Sequence, residues 1–295
     1  PNVGKSALFG ALTRRYVTVS NYPGTTVEIT RSLLPDGSPL IDTPGANSLT
    51  SISEDERVTA HYLFSQRGKM RAIVQVADAK NLRRALLLTV QLAELGTPMV
   101  LVLNMCDEAD AHGVQIDAGR LSERLGIAVV RAVAVRGEGV AEVMAAMNDA
   151  RIPAFRVQYD PGLESAIART EALLPDSEPA KRAVALRLLG GDGPLKTQFS
   201  LNGNLTAVQE SMGMAYVRPL RSEILSQQMF AAQSVLNDAM AVAPPQGNTF
   251  ARRLGRWMVD PLWGWPFLAA VLVAVYLFVR QFGAGTLVGF IEDDI

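Results

Sequence analysis

The sequence predicts an α/β fold in its first half, a mostly parallel sheet with flanking helices, and three observations support this. Short apolar runs alternate with helical patterns in residues 1–150, helical spacing alone continues through residues 151–245, and a run without charged side chains follows from Pro261 to Val279. Apolar runs rich in Val, Ile and Leu without strict alternation are typical of parallel strands buried on both faces. We therefore expect an α/β domain, a small all-α domain and a transmembrane helix.

The strands and helices of residues 1–150 follow from these runs in order. The predicted strands are Ser38–Ile41, Ala72–Ala77, Met99–Leu103 and Ile127–Val133, and helices are predicted at Arg83–Leu95 and Ala118–Leu125. Alternation of strand and helix favours a parallel sheet with crossover helices. The exception is Val27–Leu34, which joins Ser38–Ile41 through the turn residues Pro35, Asp36 and Gly37, so this pair is expected to be antiparallel.

Residues 151–245 predict a helical regulatory domain, with helices at Leu163–Leu174, Ala180–Leu189 and Leu220–Ala239. Residues 246–260 are expected to form a linker and an amphipathic juxtamembrane segment. A transmembrane helix is predicted over residues 261–282, because about 20 apolar residues cross roughly 30 Å of hydrocarbon. The arginines before it and the acids after it place the N-terminal body in the cytoplasm by the positive-inside rule. Residues 283–295 would begin a membrane domain; the alternative for 261–282 is a buried core helix.

The first motif that carries chemistry is Pro1–Ser6, the end of a phosphate-binding loop of the pattern G-x-x-x-x-G-K-[ST]. Gly4 lets the backbone approach phosphates, Lys5 supplies a point charge to the β and γ oxygens, and Ser6 offers a hydroxyl to Mg²⁺. The leading glycine and the strand before it would precede residue 1. We therefore expect this chain to lack the first strand of its sheet and to bind nucleotide poorly by itself.

Two further motifs complete a switch around the γ-phosphate. Asp42-Thr43-Pro44-Gly45 follows a predicted strand, where the carboxylate can hold Mg²⁺ through water and the glycine N–H can sense the γ-phosphate. In Gly24-Thr25-Thr26, the hydroxyl of Thr26 is predicted to complete the Mg²⁺ shell only when a γ-phosphate is present.

The last two motifs predict a guanine pocket. Asn104-Met105-Cys106-Asp107 follows the Met99–Leu103 strand, and the Asp107 carboxylate can accept two hydrogen bonds that guanine donates and adenine does not. Asn104 would brace the loop and touch the base, and Ala132-Val133-Ala134, with Ala134 as the predicted contact, would supply a backbone contact to the guanine carbonyl. Cys106 is expected to be a small packing residue.

Together, the order and spacing of these motifs predict a P-loop GTPase domain that binds GTP or GDP with Mg²⁺. The predicted nucleotide contacts are Asn2, Val3, Gly4, Lys5, Ser6, Ala7, Gly24, Thr25, Thr26, Asp42, Thr43, Pro44, Gly45, Asn104, Met105, Asp107 and Ala134. The predicted catalytic residues among them are Lys5, Thr26, Gly45 and Asn2, and the predicted Mg²⁺ ligands are Ser6, Thr26 and Asp42.

Hydrolysis is expected to be slow, because Ala46 stands where many small GTPases place a glutamine that orients water. Asn2 has two interpretations: a ligand for K⁺ that supplies charge in place of an arginine finger, or a hydrogen bond within the loop. The balance of 28 basic against 29 acidic residues argues against a nucleic-acid partner. His61, His112 and Cys106 form no ligand pattern, so the sequence shows no metal site built from histidine and cysteine.

The motifs PNVGKSALF, VSNYPGTTVE, DTPGANSL and LNMCDE resemble the ferrous iron transport protein B family, the FeoB-type transporters. The resemblance is close over residues 1–150 and looser over the helical region. It implies a cytoplasmic GTPase, a helical domain that influences nucleotide release, and a multi-pass domain in the bacterial or archaeal inner membrane that moves Fe²⁺. It also implies K⁺ activation through Asn2 and small accessory Feo-type proteins as partners. Val133, where the family usually has serine, departs from the pattern.

Two other functions remain open on the sequence. The chain could be a membrane-anchored or soluble regulatory GTPase, of the ribosome-associated type, without a transport role. It could also be a nucleoside triphosphatase without guanine preference, because the base motif is only four residues long.

Overall fold

The computed structural model describes residues 2–13, 18–22, 27–50, 53–201, 204–213, 216–241 and 264–280. Their strands are β1 (Thr18–Asn21), β2 (Glu28–Leu33), β3 (Pro39–Asp42), β4 (Ile73–Asp78), β5 (Met99–Asn104), β6 (Gln115–Ile116), β7 (Ala128–Arg131) and β8 (Met240–Ala241). Their helices are α1 (Lys5–Thr13), α2 (Glu54–Ser65), α3 (Leu82–Ala93), α4 (Cys106–Ala111), α5 (Ala118–Leu125), α6 (Val140–Asn148), α7 (Pro161–Glu171), α8 (Lys181–Leu189), α9 (Gly193–Gln198), α10 (Asn204–Gly213), α11 (Leu220–Ala239) and α12 (Gly264–Phe278). Single 3₁₀ turns lie at Ala79–Asn81 and Ala134–Arg136.

The centre of the α/β region is a parallel sheet in the order β4-β5-β7. All six residues of β5 are buried, which explains why its sequence is apolar without alternation. Val100 and Val102 face a cluster with α1 and α6, whereas Leu101 and Leu103 face α3 and α5 on the other side. The predicted parallel sheet with crossover helices is confirmed.

A second, antiparallel sheet has the order β1-β2-β3. The pairing of β2 with β3 through the turn at residues 35–37 is confirmed, with Leu33 opposite Pro39 and Thr30 opposite Asp42. Strand β1 was not predicted from the sequence, because its four residues are too few to show a period of two. The pairing of β3 with β2 ends at Asp42, so this predicted site residue lies at the end of the strand.

Capping residues set both ends of α5, a helix beside the parallel sheet. The Asp117 side chain caps α5 by accepting from the Arg120 N–H at 2.9 Å, and α5 ends at Gly126 with φ +70°. A Cβ at Gly126 would lie 2.5 Å from the Cβ of Ala154, so both backbone and space require glycine there.

The described residues between 161 and 239 are mostly helical, as predicted, and pack against the α/β region within one compact unit, Pro1–Ala243. Arg182 of α8 ties the two regions, because it donates to Glu94 at 2.6 Å and to both carboxylate oxygens of Glu164. Burial raises the pKa of the Glu94 carboxyl, while the nearby Arg182 opposes that rise. One strand breaks the all-helical pattern: β8 pairs with β6 through two residues on each strand, too few to leave a signal in the sequence.

A buried chain of amides, which we call the amide relay, links the loop after β3 to α11. Gln91 accepts from the Leu49 N–H at 2.7 Å and from the Ser48 hydroxyl at 3.1 Å. Its Nε2 donates to Oε1 of Gln228 at 2.8 Å, and Gln228 donates to the Tyr159 hydroxyl at 2.9 Å. Both glutamines are 5% exposed, so each of these bonds is made away from water.

Replacing Gln228 with methionine is expected to lower the free energy of unfolding by about 1–3 kcal/mol, because Gln91 loses a buried partner at similar side-chain volume. Gln233→Met on the same helix is the control. Gln233 bonds Arg83 and Asn237 at the surface, so a change of about 0.5 kcal/mol or less is expected. Urea unfolding of both variants measures the difference, and equal losses would contradict a structural role for the relay.

Residues 244–295 form a second compact unit, of which α12 is the described helix. Its described side chains are exposed and almost all apolar, among them Leu268, Leu272 and Tyr276. Of the helices in the described ranges, none is both long and apolar enough to cross a bilayer. The predicted span 261–282 starts and ends at residues outside those ranges, and α12 covers its middle.

Candidate functional site

The phosphate loop is a tight turn immediately before α1. Asn2 and Gly4 have positive φ angles of 59° and 77°. A Cβ at Gly4 would lie 2.1 Å from Nδ2 of Asn104, so no other residue fits without displacing that amide. The helix begins at Lys5, and its free N–H groups and positive end face the loop. This arrangement is suited to an anion.

Lys5 joins the phosphate-loop motif, Pro1–Ser6, to the Asp42-Thr43-Pro44-Gly45 motif. Its ammonium group donates to the Asp42 carboxylate and to the backbone carbonyl of Thr43. The Asp42 side chain is only 11% exposed, whereas Ser6, the next residue of α1, is exposed. The end of β3 therefore lies beside the start of α1, where the Asp42 carboxylate meets the Lys5 ammonium group, and Ser6 follows Lys5 in that helix.

Helix α2 holds the loop that follows Asp42, a contribution that the sequence analysis missed. The Thr59 hydroxyl donates to the carbonyl of Pro44 at 2.9 Å, and Glu56 accepts from the Asn47 N–H at 3.2 Å. Ser53 and Glu56 also form a capping box at the start of α2. The S-x-x-E pattern was the available signal for this helix, which restrains the backbone around Gly45.

Asn104 joins three loops with one buried side chain, 2% exposed. Its Nδ2 donates to the Val3 carbonyl of the phosphate loop at 2.9 Å, and its Oδ1 accepts from the Ala134 N–H at 2.9 Å. Its side chain thus holds the phosphate loop and the loop at residue 134 to its own loop. The Ala134 N–H is already bonded here, so the predicted contact with a guanine carbonyl would compete with Asn104.

Asp107 lies in the first turn of α4, after Met105 with φ +60°. Its side chain is 29% exposed, and Oδ2 accepts a hydrogen bond from Nη2 of Arg136 at 2.7 Å. Arg136 was not identified from the sequence, where the only signal was a basic residue two positions after Ala134. Cys106 beside it is buried and donates to the Leu103 carbonyl at 3.1 Å, and burial raises the pKa of its thiol. This fits a packing role.

Three predicted site residues, Gly24, Thr25 and Thr26, lie outside the described residues. The nearest described residue before them is Tyr22, whose hydroxyl is 2.5 Å from Nδ1 of His61 on α2. The Tyr22 and His61 rings are also in edge-to-face contact at 5.7 Å.

The donor set at the start of α1 is compatible with Mg²⁺. This ion prefers oxygen ligands, keeps several waters and commonly binds one or two carboxylates together with phosphates. Asp42 and Ser6 supply that chemistry. Across the described ranges, no cluster of three or more His, Cys, Asp and Glu side chains could hold a metal ion. One carboxylate and one hydroxyl leave the other positions to waters and phosphate oxygens, which is the donor set that Mg²⁺ shares with a nucleotide.

Comparison with known sequences gives a consistent result. Residues 1–147 match the family described as ferrous iron transport protein B. The chain is 28% identical to an Fe(2+) transporter FeoB of Staphylococcus aureus over 290 residues, which cover 94% of this chain and 43% of that protein. A Salmonella typhimurium Fe(2+) transporter FeoB is 30% identical over 96% of this chain and 38% of its own length. The chain thus spans less than half of each of these relatives.

Solved structures also match. The cytosolic domain of L. pneumophila FeoB superposes with a TM-score of 0.71 at 27% identity, covering 82% of this chain and 96% of that one. NFeoB from S. thermophilus bound to GDP, AlF4⁻ and K⁺ gives a TM-score of 0.69 at 30% identity, covering 80% and 96%. The fold is therefore that of a P-loop GTPase G domain.

Proposed function

The chain belongs to the ferrous iron transport protein B family, and from that premise we propose that it forms the GTP-hydrolysing cytoplasmic part of an Fe²⁺ uptake transporter. In this proposal the nucleotide state gates transport. The residues 1–150 are the G domain, 151–245 a helical regulatory domain, and 246–260 a juxtamembrane linker. Residues 261–282 span the bilayer of the bacterial or archaeal inner membrane, and residues 283–295 begin the membrane domain.

The observation that carries the nucleotide proposal is the position of Asn104. Its amide joins the phosphate loop at Val3 to the base loop at Ala134, so phosphate and base sites lie at a fixed separation. Lys5 would move from Asp42 to the β and γ phosphates when nucleotide binds. Asp42 and Ser6 would then be available to hold Mg²⁺, and the ion would supply positive charge beside the phosphates.

Recognition of guanine is assigned to the carboxylate of Asp107. Both of its oxygens can accept, one from the ring N–H and one from the exocyclic amino group of guanine. The αL conformation of Met105 turns the chain so that Asp107 starts α4 beside the loop at residues 132–134. A nucleoside triphosphatase without base preference does not need this arrangement.

Hydrolysis is proposed to depend on a monovalent cation held near Asn2. Ala46 carries no side chain that could orient water, and it directly follows Gly45 of the Asp42–Gly45 motif. Asn2 is exposed and its positive φ presents it at the start of the loop. The S. thermophilus relative, 30% identical to this chain, was solved with K⁺ bound, which supports a cation site here.

GTP hydrolysis in the complete gene product is therefore expected to be faster in K⁺ than in Na⁺, and Asn2→Ala is expected to remove most of the difference. The cation would stabilise negative charge that develops between the β and γ phosphates, which is electrostatic catalysis. Phosphate release in chloride salts of equal ionic strength measures it. Equal rates in the two salts would leave Asn2 as a loop hydrogen-bonding residue.

The transport proposal is tested with the complete gene product in sealed vesicles that carry GTP on the side of the G domain. Uptake of radioactive Fe²⁺ should depend on GTP and should fall when Lys5 is replaced by alanine. A GTPase that hydrolyses normally in vesicles but moves no iron would favour the alternative, a membrane-anchored regulatory GTPase. Accessory Feo-type proteins would be sought only if GTP-dependent uptake needs a further component.

A further inference from the structure

Arg136 is paired with Asp107, the carboxylate to which guanine recognition is assigned. The Arg136 guanidinium donates to Oδ2 of Asp107 at 2.7 Å, and no other described cation is paired with that carboxylate. Guanine needs both oxygens of a carboxylate, one for each of its two neighbouring donors. A guanidinium on one oxygen therefore competes with the nucleotide for the same acceptor.

The loop that carries Arg136 is built to keep it there. The 3₁₀ turn Ala134–Arg136 is closed by the bond from the Arg136 N–H to the Val133 carbonyl at 2.9 Å. The Val133 N–H in turn donates to the Glu138 carbonyl at 3.0 Å, and Gly137 takes φ +74° between them. The backbone of this turn is thus fixed from both sides, and only the side chain of Arg136 must move to release Asp107.

From this geometry we propose that Arg136 is a latch on the guanine pocket: it pairs with Asp107 in the nucleotide-free protein and must be displaced by the base. The inference rests on the proposed role of Asp107 in guanine recognition. Its consequence is that free protein is divided between latched and open pockets, and only the open pocket offers both oxygens. The measured affinity for GDP is then lower than the intrinsic affinity of the open pocket.

The expected size of the change in GDP affinity follows from how exposed the Arg136–Asp107 ion pair is. Arg136 and Asp107 side chains are 57% and 29% exposed, and Glu138 lies 3.8 Å from the second guanidinium nitrogen and draws it away. Exposed ion pairs of this kind are weak, so removing the latch should tighten GDP binding about two- to five-fold. Since salt screens such pairs, the gain should shrink towards none at high ionic strength.

The experiment measures GDP affinity of the complete gene product by displacement of a fluorescent GDP analogue, in wild type, Arg136→Ala and Arg136→Lys. The salt is varied with tetramethylammonium chloride at constant K⁺. We expect Arg136→Ala to bind more tightly at low salt only, and Arg136→Lys to stay near wild type because the charge remains. Arg131→Ala is the matched control: it breaks a similar surface pair with Asp110 at 2.8 Å without touching Asp107, and should leave GDP affinity unchanged.

Unchanged or weaker GDP binding in Arg136→Ala at low salt would overturn the latch. An Asp107→Asn variant in the same assay separates this failure from that of the proposed function. If Asp107→Asn weakens GDP binding but Arg136→Ala does not strengthen it, guanine recognition stands and the latch is wrong. If Asp107→Asn has no effect, both are wrong.

Discussion

Replacing Asp107 with asparagine is expected to weaken GTP binding about 100-fold or more and to make xanthosine triphosphate the better ligand. The carboxylate loses its charge, and the amide nitrogen of asparagine presents donors to the two donors of guanine. Hydrogen bonds to charged groups contribute about 1.5–3 kcal/mol each, so the loss of two reaches that factor. Xanthine carries a carbonyl where guanine has its amino group, so the asparagine amide can donate to it.

The measurement is the ratio of the dissociation constants for GTP and xanthosine triphosphate in the complete gene product, which should shift by about four orders of magnitude. Asp110→Asn is the control, because Asp110 lies on the same helix and pairs with Arg131 at the surface. A GTP affinity that is the same in wild type and Asp107→Asn would rule out Asp107 as the base-recognition residue.

Replacing Lys5 with alanine is expected to slow GTP hydrolysis about 1,000-fold at saturating GTP. The ammonium group belongs to the residue that directly follows Gly4 of the phosphate loop, and removing one preorganised donor from a transition state costs about 100- to 1,000-fold in kcat. In the free protein Lys5 also neutralises Asp42, so the variant leaves a carboxylate that is only 11% exposed without its partner. Phosphate release in single-turnover conditions measures the chemical step.

Lys181→Ala is the control for the loss of a surface lysine. Lys181 lies at the start of α8, far along the chain from the phosphate loop, and pairs with the fully exposed Asp176. Hydrolysis by this variant should equal that of wild type. A Lys5→Ala protein that hydrolyses GTP within a few-fold of wild type would remove the proposed catalytic role of Lys5 and with it the phosphate-loop assignment.

The sequence predicts most of the sheet because burial leaves a signal in it. The run Met99–Leu103 is apolar because β5 is buried on both faces, and the turn at residues 35–37 fixes the antiparallel pairing of β2 and β3. The two-residue strands β6 and β8 could not be found in this way, since they are held by pairing between distant parts of the chain.

The site could be predicted only in part for a similar physical reason. Motif order identifies Asn104 and Asp107, because they stand at and just after the end of β5, a strand that is visible in the sequence. What Asn104 contacts depends on the approach of residues 3 and 134, and these lie about one hundred and thirty residues apart in the chain. Arg136 was missed because a surface arginine in a loop has no pattern of its own until its partner is known.

Asn104 has a thermodynamic consequence for how the two halves of a nucleotide bind. Because one rigid amide holds Val3 and Ala134 together, ordering the loop around a diphosphate also orders the loop around the base, and the reverse holds equally. The first ligand to bind therefore orders both loops, and the second ligand binds without a further loss of conformational entropy in its own loop. Guanosine and pyrophosphate presented as separate molecules should accordingly bind with positive cooperativity, although they share no covalent bond.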